Sequence, residues 1–445
     1  MPEPINDDPM VSLKAMRRAL SLSSFPIGVL TLGIPYYGAG PLNLDPVQIG
    51  VLVSIYALMT LLMRPIVGPA MDRYGRRRFF LAGLTLQIFS NGFFAIGSSY
   101  DWLFWGRLTQ GVAAGLLWLS AYAITADLAA KSHAGNMFGA VEEMLARGGL
   151  YGALLGAPLL LVTNFAQWAW TIMFVIYAGL NVLGLWVAIK RVPETWQRPA
   201  HFAPAHAPVI ERTRIQQAWN AVMQFVHSIP QQLWLLATIV VFTSTAKSGL
   251  EPIIIQFVRK TVTDNAMLVA LAYIPSAVVF SFLQSRLGKL SDRVGRRPPV
   301  ATGLFISGLS SAVVPLLPMI LSSIGQFVLL PLSAFWTAEA VGFSAATPAE
   351  QALVADLSTE KTRGRSFGVY TTALSIGQVI GPTLGGYLAR DVALSAPFYF
   401  NTIVLWSGAA IMMWFIHEPH RHIAVATVES RQHEPPAQWP SGGGK

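Results

Sequence analysis

The sequence has no cysteine and very little charge. Because none of its 445 residues is Cys, disulfide bonds and thiol chemistry are excluded. Only 12% of the residues are charged and 53% are hydrophobic, whereas a soluble domain carries about 25% charged residues. This deficit is too large for a surface in water, so we expect a membrane protein that has lipid as the solvent of most of its chain.

Several function classes lack their sequence patterns here. The formal net charge of +9 does not indicate nucleic-acid binding, because the positive residues form short clusters between apolar runs and do not share one polar face. We find no metal-type cluster of His and acidic residues, no activated-nucleophile motif and no phosphate-binding loop. The N-terminus has no signal-peptide cleavage pattern. We therefore expect no enzyme activity, no cofactor, no metal and no nucleic-acid partner.

Twelve apolar runs follow one another along the chain, each about as long as a membrane-spanning helix needs to be. The predicted fold is therefore all-α, with twelve transmembrane helices. The runs lie near 19–38, 47–67, 79–98, 101–127, 138–162, 168–189, 231–258, 266–285, 299–319, 325–355, 366–389 and 396–416.

The positive residues are distributed unevenly between the two sides of these spans. With the N-terminus inside, the inner segments hold 24 of the 31 Lys and Arg residues, which predicts cytoplasmic termini. We expect a monomer in the lipid bilayer of the cell inner membrane. The predicted parts are a cytoplasmic N-terminal segment (1–18), a six-helix bundle (19–190), a cytoplasmic central loop with an amphipathic helix (191–230), a second six-helix bundle (231–416) and a disordered cytoplasmic tail (417–445).

Two stretches of the sequence are repeated in the second half. "GPAMDRYGRRRFF" begins at Gly68, and its glycine, aspartate and arginine offsets return in "GKLSDRVGRR" from Gly288. "ADLAAKSHAGNMFG" from Ala126 aligns without a gap with "ADLSTEKTRGRSFG" from Ala355. Two six-span halves with parallel topology follow, which is a known transporter architecture.

This combination resembles the major facilitator superfamily of secondary transporters, whose hallmark Gly-x-x-x-Asp-x-x-Gly-Arg-Arg follows span two. The resemblance implies that Asp72 faces the N-terminus of span eleven, where the helix dipole favours a carboxylate by about 0.3–1 kcal/mol. It also implies that Arg76 pairs with Asp127, and the repeat predicts a mirror set. We expect a loop of about ten residues between the spans, with tight turns at two glycines. The predicted conformational latch of the inner face consists of Gly68, Asp72, Gly75, Arg76, Asp127, Gly288, Asp292, Gly295, Arg296 and Asp356. The alternative is that the arginines are only a topology signal.

Ionisable residues inside spans are functional candidates, because each costs about 2.5–3.5 kcal/mol at the bilayer centre on insertion scales. Glu339 lies half way along span ten with no basic residue within one turn. An apolar setting favours the neutral form of such a carboxylate, as a proton carrier requires; the alternative is a structural partner of Lys247. The predicted proton-coupling residues are Glu339, Glu251, Glu143 and Arg107.

Charges on three other spans leave structural alternatives open. Lys247 and Glu251 lie four residues apart on span seven, which we expect to be broken near Gly249 and Pro252. Glu143 precedes a basic residue by four on span five, and each of these two pairs is alternatively an ion pair. Arg107 is alternatively a snorkelling residue. The predicted substrate-binding residues are Arg147, Lys247, Glu251, Gln110, Tyr36, Trp118 and Trp336.

The sequence looks most like the drug:proton antiporter branch of the superfamily. "GRLTQG" from Gly106 resembles a motif of proton-coupled members. The glycine and proline pattern of antiporters occurs on span eleven, but its expected place is span five, where Ala157 precedes Pro158. The leading interpretation is proton-coupled export of a small organic molecule by alternating access. The alternatives are transport of an organic anion bound by Arg107, Arg147 and Lys247, or a sensor that does not transport.

Overall fold

The computed structural model describes residues 9–128, 134–195, 229–358 and 362–417. Within these ranges the protein is a bundle of helices without strands. The helices are α1 (Pro9–Ser23), α2 (Phe25–Ala39), α3 (Pro46–Tyr74), α4 (Arg76–Ile96), α5 (Tyr100–Leu128), α6 (Ala134–Val162), α7 (Gln167–Arg191), α8 (Gln231–Thr261), α9 (Ala266–Val294), α10 (Arg297–Val313), α11 (Leu317–Ile320), α12 (Leu329–Asp356), α13 (Arg363–Tyr387) and α14 (Ala396–Phe415).

Each predicted span falls on one of these helices, with α1 and α2 sharing the first span and α10 and α11 the ninth. Within the described ranges, eight helical segments are long and apolar enough to cross a membrane, and the segments Val11–Thr31 and Gly33–Ala39, bent by 45° relative to each other, would be a ninth if they form one span. The apolar parts of α6 and α9 are shorter, Arg147–Val162 and Ala266–Phe280. The count of twelve spans therefore stays a prediction. Most of the predicted central loop (196–228) and tail (418–445) lies outside the described residues.

Short polar residues define where two of the helices begin. The backbone N–H of Gln48 donates to Asp45 Oδ1 at 2.8 Å, and the Asp45 N–H donates to Gln48 Oε1 at 3.0 Å. This capping box precedes Pro46 at the first position of α3, where its missing N–H costs no hydrogen bond. Asn265 caps α9 in a similar way, accepting from the N–H of Met267 at 3.0 Å.

The predicted ten-residue loop between spans two and three is wrong. Helix α3 runs to Tyr74 and α4 begins at Arg76, so Gly75 alone forms the joint. Its φ of +91° lies in the region that side chains rarely adopt, which explains the glycine. Gly295 has a φ of +96° at the equivalent joint between α9 and α10. Gly68 lies inside α3 and Gly288 inside α9, so neither is a turn residue.

Glycines of the repeat let α6 and α13 approach a neighbour closely. A Cβ on Gly152 would lie 2.0 Å from the carbonyl oxygen of Phe25 on α2. A Cβ on Gly385 would lie 2.0 Å from the carbonyl oxygen of Gly249 on α8. The two halves therefore pack the equivalent helix in the same way, through backbone contact at small residues.

Among the described residues, the two halves share a hydrophobic cluster at one end of the bundle. At the end where α3 begins, one cluster joins residues of both halves, including Tyr37, Trp170, Ile253 and Phe257. At the other end each half has a separate cluster. The first contains Leu13, Phe80, Leu84 and Leu117, and the second contains Leu233, Val300, Leu353 and Tyr370.

Candidate transport site

The charged joints of the two halves contain the ion pairs that the resemblance implied. The Arg76 guanidinium pairs with Asp127 and donates to the carbonyl oxygen of Ala123 at 2.9 Å. In the second half, Arg296 Nε donates to Asp356 Oδ2 at 3.2 Å and Nη1 donates to Ser291 Oγ at 2.9 Å. Each pair ties an arginine beside the glycine joint to the far end of a neighbouring helix of the same half.

The predicted contacts of the two joints with the opposite half depend on two aspartates whose side chains the structure does not describe. The side chains of Asp72 and Asp292 are not among those the structure describes. Their positions on α3 and α9, two residues before the last residue of each helix, are known from the backbone. The role of these aspartates in a latch therefore stays a prediction.

Sequence reasoning missed an acidic residue at the first joint. Glu194, just after α7, accepts hydrogen bonds from the backbone N–H of Arg76 at 2.8 Å and of Arg77 at 3.2 Å. It therefore caps α4, whose preceding Gly75 offers no side chain. The next residue, Thr195, donates to Asp127 Oδ2 at 2.7 Å. The sequence signal was "PET" directly after span six, a carboxylate and a hydroxyl where the chain leaves the bundle.

Arg107 is buried among polar and aromatic groups of its own half. Its Nε donates to the carbonyl oxygen of Leu52 at 3.0 Å, and Nη1 donates to Gln110 Oε1 at 2.8 Å. The guanidinium lies 4.7 Å from the ring centroid of Tyr56, a cation–π contact. A snorkelling side chain would reach outward, so the structure favours the internal role. Arg107 also interacts electrostatically with Glu251 of α8, across the boundary between the halves.

Lys247 lies on α8, which is one unbroken helix and not the broken helix we predicted. Gly249, two residues after Lys247, has a packing role, because it lies against the backbone of Gly381 and Gly385 on α13. The Lys247 ammonium lies 3.1 Å from the ring centroid of Phe343 on α12. An aromatic face stabilises a cation that has left bulk water.

Three carboxylates interact with this ammonium at longer range. Lys247 interacts electrostatically with Glu251, Glu339 and Glu350. Among the residues that the structure describes, no carboxylate oxygen lies within 4.0 Å of its Nζ, so Lys247 and Glu251 do not form the ion pair that was the alternative interpretation. Glu339 is half-buried and Glu251 is exposed. Together with Lys247 and Arg107, three carboxylates leave the group with one net negative charge if all are ionised.

Glu350 is the member of this group that sequence reasoning missed. Its side chain is only 8% exposed, and its Oε2 accepts a hydrogen bond from the Tyr370 hydroxyl of α13 at 3.2 Å. It follows Glu339 by eleven residues, about three helical turns, so both lie on the same face of α12. The signal was present, because the predicted span ten contains both glutamates.

The three aromatic residues predicted to bind substrate lie in different parts of the structure. Trp336 is 3% exposed and contacts Tyr273 edge to face, with ring centroids 6.2 Å apart. Its buried indole nitrogen has no hydrogen-bond partner among the described residues, and it lies one turn from Glu339. Trp118 packs against the separate core of the first half. Tyr36 lies at the shared core between the halves.

Two candidates on α6 are not part of the described group. Arg147 is exposed, and the side chain of Glu143 lies outside the described residues. The described group therefore consists of Lys247, Glu251, Glu339 and Trp336 in the second half, and Arg107, which is hydrogen-bonded to Gln110, interacts electrostatically with Glu251 from the first half.

Comparison with known proteins gives consistent results. The model of the family described as "Major Facilitator Superfamily" matches residues 19–338 and 319–441. Multidrug resistance protein 1 of Bacillus subtilis is 24% identical over 83% of this chain and 87% of its own length. The multi-drug resistance efflux pump PmrA of Streptococcus pneumoniae is 24% identical over 80% of this chain and 82% of its own. A bacterial homolog of the human lysosomal transporter Spinster, solved inward-facing and unoccupied, superposes with a TM-score of 0.65 at 17% identity, covering 91% of this chain and 95% of that one.

Proposed function

Because the chain belongs to the Major Facilitator Superfamily, we propose that it exports a small organic molecule in exchange for protons, by alternating access. The protein is a multi-pass membrane transporter and not an enzyme. Twelve spans, cytoplasmic termini, a monomeric state and a place in the cell inner membrane are parts of the same proposal. Relatives named for multidrug resistance and efflux support export of organic molecules.

The observation that carries the proposal is the charge imbalance on α8 and α12. Glu251, Glu339 and Glu350 interact electrostatically with Lys247 without a direct ion pair among the described residues, and Arg107 is a second cation that interacts with Glu251. An uncompensated charge is expensive inside a membrane. One bound proton or one monovalent organic cation neutralises the group, so the two compete.

We assign the exchangeable proton to Glu339. It is half-buried on α12, one turn from Trp336, and Lys247 and Glu251 are its electrostatic neighbours. Entry of a cationic or polar substrate beside Glu339 favours release of the proton. Return of a proton favours release of the substrate, and this mutual exclusion is the requirement for exchange.

The positions of the hydrophobic clusters support an inward-open conformation. Both halves share a core where α3 begins, while each has its own core at the opposite end. With the charged joints placed on the cytoplasmic side, the closed end faces outward and the site opens inward. This is the state in which an exporter collects its cargo.

The alternative substrate is an organic anion bound by Arg107, Arg147 and Lys247. The observation in its favour is that Lys247 has no carboxylate within 4.0 Å among the described residues. Against it, Arg107 already donates to Leu52 and Gln110, and carboxylates outnumber cations around α8. The charge count therefore favours a cation or a neutral molecule.

Transport by the purified protein in lipid vesicles tests the proposal. Radiolabelled organic cations, neutral molecules and anions are supplied with and without an imposed pH gradient. We expect uptake of a cation or neutral compound against its gradient when protons flow the other way. Uptake that ignores the pH gradient would reject proton coupling, and transport of anions alone would replace the leading substrate class by the alternative. No transport of any class would favour a sensor.

A further inference from the structure

Three residues connect the halves at the closed end, Tyr36 of α2, Arg259 of α8 and Asp264 between α8 and α9. The Tyr36 hydroxyl donates to the Asp264 carbonyl oxygen at 2.5 Å. Arg259 Nη1 donates to the Tyr36 carbonyl oxygen at 3.1 Å, and the guanidinium lies 4.7 Å from the tyrosine ring centroid. One residue of the first half therefore holds the second half through its backbone, its ring and its hydroxyl.

The sequence of α2 is adapted to receive this guanidinium. Tyr36 is in the last turn of α2, where carbonyl oxygens carry the negative end of the helix dipole and favour a cation. Gly40 follows the helix, and a Cβ at that position would lie 2.7 Å from Arg259 Nη1. Any side chain at position 40 would therefore displace the arginine. Phe165 stacks on Tyr36 with ring centroids 4.7 Å apart and fixes the ring.

The contact between Tyr36 and Arg259 can break while the Arg259 guanidinium keeps a carboxylate partner in its own half. Arg259 Nε donates to Asp264 Oδ1 at 2.5 Å, and both residues belong to the second half. When the halves separate, Arg259 keeps this carboxylate and loses only the contacts with Tyr36. Removal of a charge from its partner is the strongly unfavourable step in breaking an ion pair, and here that step is avoided.

We propose that Tyr36 and Arg259 are positioning residues of the transport cycle, which hold the outer ends of the two halves together until the cycle requires them to part. This outer clamp, Tyr36, Arg259 and Asp264, complements the charged joints at the other end. Tyr36 thereby acts as a contact between the halves, and not as the substrate ligand that its aromatic side chain suggested. The proposal does not depend on the identity of the substrate or on proton coupling.

Spin-label distances in the full-length protein test the outer clamp, and the absence of cysteine lets two labels be placed without background. One pair replaces the exposed Ser98 and Ser323 at the outer end, and the other replaces the exposed Arg191 and Val294 at the inner end. In Arg259→Gln we expect the ratio of long to short outer distances to rise about five-fold or more. The inner distances should shorten at the same time, which a merely structural role would not produce.

A matched control lies at the same end of the molecule. Arg390 donates to its neighbour Asp391 at 2.6 Å, and both residues are exposed. The ion pair lies within the second half and does not join the halves. The hydrogen bond from Arg390 lowers the pKa of Asp391, and the control removes this ion pair. Arg390→Gln should leave both distance distributions unchanged.

Conservative variants keep the test decisive if Arg259→Gln does not fold. Tyr36→Phe removes only the hydroxyl contact, and Arg259→Lys removes the planar fork but keeps the charge. Both should move the outer distances in the same direction by a smaller factor. Unchanged outer distances in every folded variant at Tyr36 and Arg259, or an equal change in Arg390→Gln, would overturn the proposal.

Discussion

The two halves of this transporter agree at their charged joints and differ in the middle of the membrane. Arg76 with Asp127 and Arg296 with Asp356 occupy equivalent places beside equivalent glycines. The shift of 229 residues that aligns Ala126 with Ala355 also aligns α5 with α12, because both helices are continuous over this stretch. In that register Gln110 of the first half corresponds to Glu339 of the second.

These two equivalent positions differ in whether the side chain can ionise. Gln110 accepts a hydrogen bond from Arg107 and carries no charge. Glu339 carries a carboxylate, and Trp336 stands where the first half has Arg107. In the same register, Ala121 of the first half corresponds to Glu350 of the second. The ion pairs at the joints are repeated in both halves, whereas at positions 110 and 121 of α5 the first half has Gln and Ala where α12 has the carboxylates of Glu339 and Glu350.

The largest effect is expected where the halves are most alike, at their close-packed glycines. Gly152→Ala and Gly381→Ala should each abolish recovery of folded protein, because a Cβ would lie 2.0 Å from Phe25 O or 2.3 Å from Thr245 O. Overpacking of even a few atoms typically costs about 1–3 kcal/mol, and a backbone contact cannot relax by changing a rotamer. The yield of monodisperse protein in detergent measures this.

Two other glycines are matched controls for the same test. At Gly179 on α7 and Gly368 on α13, an added Cβ would have no described atom within 4 Å, so Gly179→Ala and Gly368→Ala should retain folded protein. Equal yields for all four variants would show that the repeat of glycines is not a repeat of packing.

Lys247 sharpens the contrast between the halves through substrate charge. Lys247→Ala removes the cation from three carboxylates, and we expect an organic cation to bind at least as tightly as before. If the substrate is an anion, its affinity should instead fall by about thirty-fold or more, since losing one member of a buried charge pair costs at least ~2 kcal/mol. Calorimetric titration with a ligand of each charge measures the sign of the change.

The inner joints are predicted to act as one latch across both halves. Asp72→Asn and Asp292→Asn should each shift the population toward the inward-open state. Coupling free energies of this kind are about 1–3 kcal/mol, or 5–150-fold in population. Energy transfer between fluorophores across the inner face measures the shift. A response to only one of the two substitutions would show that the sequence repeat is not a functional repeat.

The smallest effect is expected from Glu194. Loss of a helix cap costs about 0.5–2 kcal/mol, so Glu194→Ala should speed hydrogen exchange of the Arg76 and Arg77 amides, which donate to the Glu194 carboxylate. The rest of α4 should keep its protection. Exchange that stays at the wild-type rate at both amides would remove Glu194 as the cap of the first joint.

Much of the fold was readable from the sequence because lipid imposes a simple rule. Apolar runs must become helices in a membrane, and each predicted run coincides with a helix or a bent pair. The joints were misjudged because apolar length does not locate a helix end. The chain turns only where Gly75 or Gly295 reaches a positive φ, and the charged residues before each glycine continue the helix.

The candidate site was only partly predictable. Glu339 and Lys247 stood out because a charge in an apolar run needs an explanation. Glu350 was overlooked near the end of a long run, since only the packing of α13 reveals its partner Tyr370. Gly249 and Pro252 suggested a break in span seven, but α8 is continuous through both residues, and Gly249 instead allows close packing against α13.

The central claim is that Glu339 carries the exchanged proton, and Glu339→Gln tests it by giving the second half the residue that the first half has at Gln110. The measurement is transport into vesicles with and without an imposed pH gradient, beside counterflow exchange, for this variant and for Asp101→Asn, an exposed carboxylate outside the group. We predict that Glu339→Gln keeps substrate binding and counterflow but loses the response to the pH gradient, while Asp101→Asn retains both. A Glu339→Gln protein that still responds fully to the gradient would contradict the account.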